Sequence, residues 1–460
     1  MGIQGTNGDT KIHLDGYCHK SYEPVKNQLE KMLHEGKEEN VQLCVYVNQN
    51  CVIDLYGTAI GNKWYNAETI QTIMSSGKCI ESIIMAMLYG KGLFKYEDKV
   101  SQYWPEFAQN GKTNVKIQDV LRHRSGLAWF TETIPTVKNI WTENLKENKV
   151  GELIERQTLH FPDVNGIKNN DEISEYHGQT RGLILNEIVR RLDPKGRTMG
   201  EILQEDINID GIYLGESNDT ETTVPVPQTV ISNSFILSQT LTPAWMGKKI
   251  ETMEVGFFNL LTFIHNFFTS KKANQEQIPL FSELKGTEGY TTIVTQEFID
   301  VYNSPDVTKA ELPSSNIRAN ARGLAKLASI MANKGQGIMS PEAWYEMHSQ
   351  PQFHYMGTSN ALFLTNFTKG GVNYFENPST ISDFDKRNKI NRNREGYFGW
   401  FGAGGSIMQW HSGLRIGFAF IPTFLNTIES FNSRGAILQG LVKKCAINDA
   451  STTKNNIEDE

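Results

Sequence analysis

Ser75-Ser76-Gly77-Lys78-Cys79-Ile80-Glu81-Ser82-Ile83-Ile84-Met85-Ala86-Met87-Leu88 decides how the rest of the chain is read. Ile80, Ile83, Ile84, Met87 and Leu88 recur at helical spacing and form one buried stripe. Residues three apart share a helix face, so Ser75 and Lys78 can touch. Ser75 stands where the first backbone N–H groups of a helix are unpaired and its end is partially positive. That field disfavours an ammonium and favours a developing anion, which suits a lysine base and a serine nucleophile. A serine at a helix start also caps it. The spacing alone therefore leaves two readings, a capped helix and an activated nucleophile.

The chain has 460 residues, 39% hydrophobic and 21% charged, an ordinary globular composition. A net charge of −7 gives no footprint for nucleic acid. No apolar run reaches the ~20 residues that a membrane helix needs. The five cysteines, Cys18, Cys44, Cys51, Cys79 and Cys445, are odd in number and lack a C-x-x-C pair. This argues against a disulfide framework or a zinc site and for a reducing compartment. Met1 to Asp15 has neither an apolar core nor the arginines of a transit peptide, so no leader is expected. The cytoplasm is the first expectation, with a membrane surface or the mitochondrion as alternatives. Met1-Gly2-Ile3-Gln4-Gly5-Thr6 fits the myristoylation pattern. Gly2 is thus either a lipid acceptor, giving peripheral membrane contact, or part of a plain N-terminus.

Tyr22 to Glu35 reads as an amphipathic helix with Val25, Leu29, Met32 and Leu33 inward. Leu43–Val47 and Val52–Tyr56 around Asn48-Gln49-Asn50 read as a hairpin. From about 76 to 206 the pattern is helical with no clear strand. Gly404–Trp410 and Ile416–Ile421 read as two strands near the other end, after the helix Ala319–Asn333 and before a last helix from Arg434 to Cys445. The expected fold is α/β (α+β): an antiparallel sheet flanked by helices, built from both chain ends, with an inserted, mainly helical lobe. The expected boundaries are an extension over 1–20, one domain over 21–448, and a disordered polar tail over 449–460. Within the domain, 21–74 and 315–448 form the α/β lobe and 75–314 the helical lobe. A cleft between the lobes is the expected ligand site.

Two segments stand apart. Val255–Phe268 is very apolar but too short to span a bilayer, so it is either a core or lid helix or a docking surface. Asp385–Glu395 carries five basic residues and is either a solvated loop or a partner-binding one.

Several stretches together resemble the penicillin-binding and class C β-lactamase-like serine hydrolases, in particular the β-lactamase-domain esterases. Ser75-x-x-Lys78 is the first. Leu121-Arg122-His123-Arg124-Ser125-Gly126-Leu127, Tyr176-His177-x-x-Thr180-x-Gly182, Asn320–Ala325 and Gly402-Ala403-Gly404-Gly405-Ser406 follow in family order. The resemblance implies Ser75 as acyl-forming nucleophile, and Lys78 taking its proton or holding the neighbouring phenol. It implies Tyr176 as second base, a role for which a phenol needs a nearby cation. Ser75's own N–H and one from the Gly404–Ser406 strand would form the oxyanion hole, with Trp400, Gly402, Gly404 and Gly405 along the cleft. His123 and His177 would support the site from behind. Neither metal nor cofactor is implied.

The chain departs from the pattern at Gly77, where the family prefers Ser or Thr; glycine there should loosen the helix start by about 1 kcal/mol. It departs again at Trp400-Phe401-Gly402, where the family has Lys-Thr-Gly or His-x-Gly. Indole cannot pair with a carboxylate, which points away from β-lactams and toward a neutral ester or peptide-like small molecule. The expected function is a serine hydrolase working through an acyl-enzyme on Ser75. The alternative is a catalytically degenerate relative acting as a subunit of a larger assembly, docking through Val255–Phe268 or Asp385–Glu395.

Overall fold

The computed structural model describes residues 12–130, 135–159, 173–215, 229–230, 302, 304–357, 362–376, 389–425 and 433–458. Gly2 and Val255–Phe268 lie outside these residues, as does the 385–388 part of the basic segment.

A ten-stranded sheet organises the molecule. Its strands are β1 (His13–Cys18), β2 (Asn40–Val47), β3 (Asn50–Thr58), β4 (Ile173–Glu175), β5 (Gln352–Gly357), β6 (Leu362–Phe367), β7 (Asn373–Tyr374), β8 (Phe398–Phe401), β9 (Ile407–His411) and β10 (Ile416–Pro422). Their spatial order is β1-β3-β2-β10-β9-β8-β7-β6-β5-β4. All neighbours are antiparallel except β4 on β5. The hairpin turns at Asn48 and Gln49 with φ of 50° and 68°. Two successive positive φ values match the right-handed twist of the flanking strands. The chain ends meet where β10 pairs with β2, from Ile416 opposite Val47 to Pro422 opposite Val41. The sheet is therefore built from both ends, as the pattern predicts.

Helices cover the sheet. In α1 (Glu23–His34) the buried residues are Val25, Leu29, Met32 and Leu33. The helical lobe contains α2 (Lys78–Gly90) and α3 (Thr180–Leu192). α4 (Ala321–Ala332) lies on β10 and β2. Gly417 allows that approach, because a Cβ there would stand 2.3 Å from the Ser329 nitrogen. α5 (Ser433–Glu458) packs on α1.

Several expectations need correction. His13–Cys18 is not part of a free extension: β1 pairs with β3 along its whole length. The last helix does not stop at Cys445 but runs to Glu458, so 449–458 is helical. No Gly or Pro occurs after Gly440 to stop it. The 75–314 segment does contribute a strand, β4. Within the stretch that reads as helical, Thr142–Lys146 and Lys149–Arg156 are two separate helices, split where Asn148 takes φ of 65°. In the basic segment, Arg394 is fully buried. Its Nε donates to Gln439 Oε1 (3.1 Å) and its Nη1 to the Ile390 carbonyl (2.9 Å), so it is a core brace, not a solvated charge. No helix among the described residues is long and apolar enough to cross a membrane.

Candidate active site

The strand segment Gln71–Thr72 leads into a tight 3₁₀ turn, Met74–Gly77, that runs straight into α2. Met74 opens the turn at φ of 47°, a left-handed conformation that costs a non-glycine residue energy. Every residue from Gln71 to Leu88 is buried except Ser75, which reaches partly to the surface. Lys78 is 1% exposed. Its Nζ lies 3.3 Å from Ser75 Oγ and donates to the carbonyls of Gly178 (2.6 Å) and Ser314 (3.1 Å). Carbonyl oxygens only accept, so two N–H bonds of Lys78 are committed. The one remaining position of Nζ faces Ser75.

Gly77 turns out to be a packing requirement. A Cβ there would stand 2.4 Å from the Pro313 carbonyl oxygen. The expected loosening by glycine is therefore outweighed: its missing side chain lets the segment before Ser314 close on the turn.

Tyr176 follows β4, and the turn around His123 clamps that segment. Glu175 N–H donates to the His123 carbonyl (3.2 Å) and His177 N–H to His123 Nδ1 (3.0 Å). His123 sits at φ of 61°. Burial, reinforced by Arg181, holds its imidazole well below the usual value, so Nδ1 stays an acceptor. His177 is satisfied within the fold, with Nδ1 2.6 Å from the Glu175 carbonyl and Nε2 2.7 Å from Ser125 Oγ. Burial also pushes the Glu175 carboxyl up to about 8. The Tyr176 ring lies beneath Lys78, with Nζ 4.9 Å from its centroid. Lys78 thus sits over the ring face. The phenol oxygen instead accepts the Trp400 indole N–H at 3.3 Å.

Trp400 is 3% exposed on β8, stacked on Phe401 with centroids 4.6 Å apart. Beyond it, Ala403–Gly405 is a 3₁₀ turn rather than a strand start; β9 begins only at Ile407. Gly402 N–H donates to the Ser406 carbonyl (2.8 Å) and Gly405 N–H to the Gly402 carbonyl (3.1 Å). Both donors are spent inside the turn, which removes Gly405 as an oxyanion donor. Ser406 Oγ donates to the Ile73 carbonyl at 2.5 Å and receives the Ser76 hydroxyl at 3.0 Å. A Cβ on Gly402 would meet the Ile73 oxygen at 2.4 Å. The turn is thereby stitched to the Ser75 turn.

A buried ionic network that the sequence reading missed supports these groups. Arg181 Nε and Glu81 Oε2 are 3.1 Å apart, both side chains wholly buried. Glu81 Oε1 accepts the Ser314 hydroxyl at 2.5 Å, and Ser314 Oγ in turn accepts the Gly182 N–H at 2.9 Å. The Ser314 carbonyl is the one that holds Lys78. A glutamate, Glu81, inside the apolar run Cys79–Leu88 was the available signal.

A Ser-x-x-Lys turn heads a buried helix, and a Tyr and a glycine turn close on it between a two-ended sheet and a helical lobe, an arrangement similar to that of the β-lactamase and penicillin-binding class. The family model described as Beta-lactamase matches residues 25–228. A Mycobacterium tuberculosis protein described as Esterase/beta-lactamase LipL is 24% identical over 299 residues, 64% of this chain and 58% of its own length. The chain thus spans less than two thirds of that relative. A penicillin-binding protein homolog from Caulobacter crescentus superposes with a TM-score of 0.65 at 19% identity, covering 94% of this chain and 100% of its own. A family VIII carboxylesterase does so with 0.66 at 18%, with the same coverage. At these identities the structural likenesses show the fold.

Proposed function

We propose that the chain is a serine hydrolase that cleaves a neutral ester or amide through an acyl-enzyme on Ser75. The observation that carries this reading is the Lys78 amine, tied to two carbonyls with its last position on Ser75 Oγ. Ser75 Oγ attacks the substrate carbonyl carbon and gives its proton to Lys78 Nζ. Tyr176, against the same lysine, gives its phenol proton to the leaving alcohol or amine as that group's bond to the acyl carbon breaks, and recovers a proton from the Lys78 ammonium. Water then attacks the acyl carbon, giving a proton to the Lys78–Tyr176 pair, and that pair returns a proton to Ser75 Oγ as the Oγ–acyl bond breaks and the acid is released.

Ser75 N–H and Ala403 N–H are the oxyanion donors in this reading. The Gly402 carbonyl points into its turn to meet Gly405, and in a trans peptide the Ala403 N–H points the other way. At the third motif Trp400 supplies an N–H to Tyr176 where the resembling enzymes supply a cation. That favours substrates without a carboxylate, and the esterase names among the relatives support it.

The test is labelling of the purified chain with a fluorophosphonate, followed by mass mapping. The expected result is a stoichiometric adduct on Ser75, absent in Ser75→Ala and strongly slowed in Lys78→Ala. No adduct on folded protein overturns the reading.

A further inference from the structure

The Gly404–Gly405 turn has more backbone freedom than any other dipeptide would give it, with φ of 85° and 118°. An oxyanion donor works only when it is held in place before charge develops. Arg434, in the first turn of α5, provides the hold. Its Nη2 donates to the Gly404 carbonyl at 2.7 Å. Its Nη1 donates to the Lys37 carbonyl (3.1 Å) and pairs with Glu38 Oε1 at 2.6 Å. Glu38 is wholly buried and the Arg434 side chain nearly so. The guanidinium is planar and rigid, so fixing one edge on Glu38 fixes what the rest can reach. A Cβ on Gly405 would stand 2.7 Å from Nη2, so the turn and the guanidinium are in direct contact.

The consequence passes along the backbone. Holding the Gly404 carbonyl sets the plane of the Gly404–Gly405 peptide, and its N–H then points the opposite way, onto the Gly402 carbonyl. That bond in turn sets the Gly402–Ala403 peptide and the direction of the Ala403 N–H. We propose that Arg434, locked by Glu38, is a positioning residue for the oxyanion turn, so that docking of the C-terminal helix sets the catalytic rate. This rests on the hydrolase reading above.

The test uses the full chain, a short-chain p-nitrophenyl ester, and fluorophosphonate titration to count competent sites. Arg434→Lys keeps a cation for Glu38 but cannot span to Gly404. The expected result is kcat per titrated site lowered about tenfold or more, below the cost of deleting an oxyanion donor outright, with KM within about twofold. In Arg434→Ala, added guanidinium at millimolar level should restore part of kcat, and Arg434→Lys should not respond. A purely structural Arg434 would lower the melting temperature and the titrated fraction but leave kcat per site unchanged in both variants, which overturns the proposal. A wild-type chain that neither labels nor turns over ester overturns the hydrolase reading and this one with it. An active wild type with fully active variants removes only the brace.

Discussion

Trp400 Nε1 donates to the Tyr176 phenol oxygen across 3.3 Å, joining the third motif to the second without a charge. The indole N–H occupies one lone pair of that oxygen and leaves another. Trp400 therefore orients Tyr176 rather than gripping substrate, consistent with its near-complete burial. Trp400→Phe keeps the stack on Phe401 and removes the N–H. One neutral hydrogen bond contributes roughly 0.5–1.5 kcal/mol. Ester kcat should fall roughly threefold to tenfold with little change in melting temperature; an unchanged kcat would separate Trp400 from the chemistry of Tyr176.

Gly77 is held by the Pro313 carbonyl, 2.4 Å from where a side chain would begin. Gly77→Ser, which moves the motif toward the family pattern, should therefore harm this chain. The Pro313–Ser314 segment must retreat, taking with it the carbonyl that holds Lys78. Overpacking of this kind costs about 1–3 kcal/mol. Thermal melts and phosphonate labelling of the variant should both decline, and a variant that labels as fast as wild type would show that the segment can yield freely.

The two-ended sheet was legible because β2, β3, β9 and β10 are apolar runs with turn signals between them. Ser75 and Lys78 were legible because their spacing is local, whereas Tyr176 came only from the resemblance of Tyr176-His177-x-x-Thr180-x-Gly182 to the family stretch. What closes the site was not legible. β8 contains Gly399 at φ of 123° and offers no alternation to read. The Ala403–Gly405 turn looked like a strand start because glycine carries no pattern of its own. The pairings Glu81 with Arg181, and Arg434 with Glu38, link residues 100 and 396 positions apart in sequence. Only packing brings such partners together.

Glu81 and Arg181 form an ion pair without solvent access. Removing one partner leaves the other charge buried and uncompensated, which costs about 3–5 kcal/mol. Glu81→Met should accordingly unfold at much lower urea and lose Ser75 labelling, since the Ser314 hydroxyl also loses its acceptor. The double variant Glu81→Met/Arg181→Met removes both charges and should recover most of the stability. Urea midpoints at a shared slope measure this directly. A double variant no more stable than Glu81→Met alone would mean that the pair is not what sets the cost.

The low-pH limit of the fold should be set in part by His348, far from Ser75 in the chain but under the same sheet. Its Nδ1–H meets the Trp344 carbonyl at 2.6 Å and its Nε2 accepts the Trp410 indole N–H at 3.0 Å. Both nitrogens are used in the neutral form, and protonating Nε2 would set two N–H groups against each other. Burial lowers its pKa to about 3, whereas the unfolded chain has the ordinary value of 6.5. Between these values the unfolded state binds the extra proton, so stability rises with pH across the window and is lost as pH falls through it. In His348→Gln the site no longer titrates. That variant should be less stable than wild type at pH 7, with the gap narrowing steadily as pH is lowered toward 4. Denaturation midpoints at a series of pH values test this, and a gap constant across the window would exclude His348 as the titrating group.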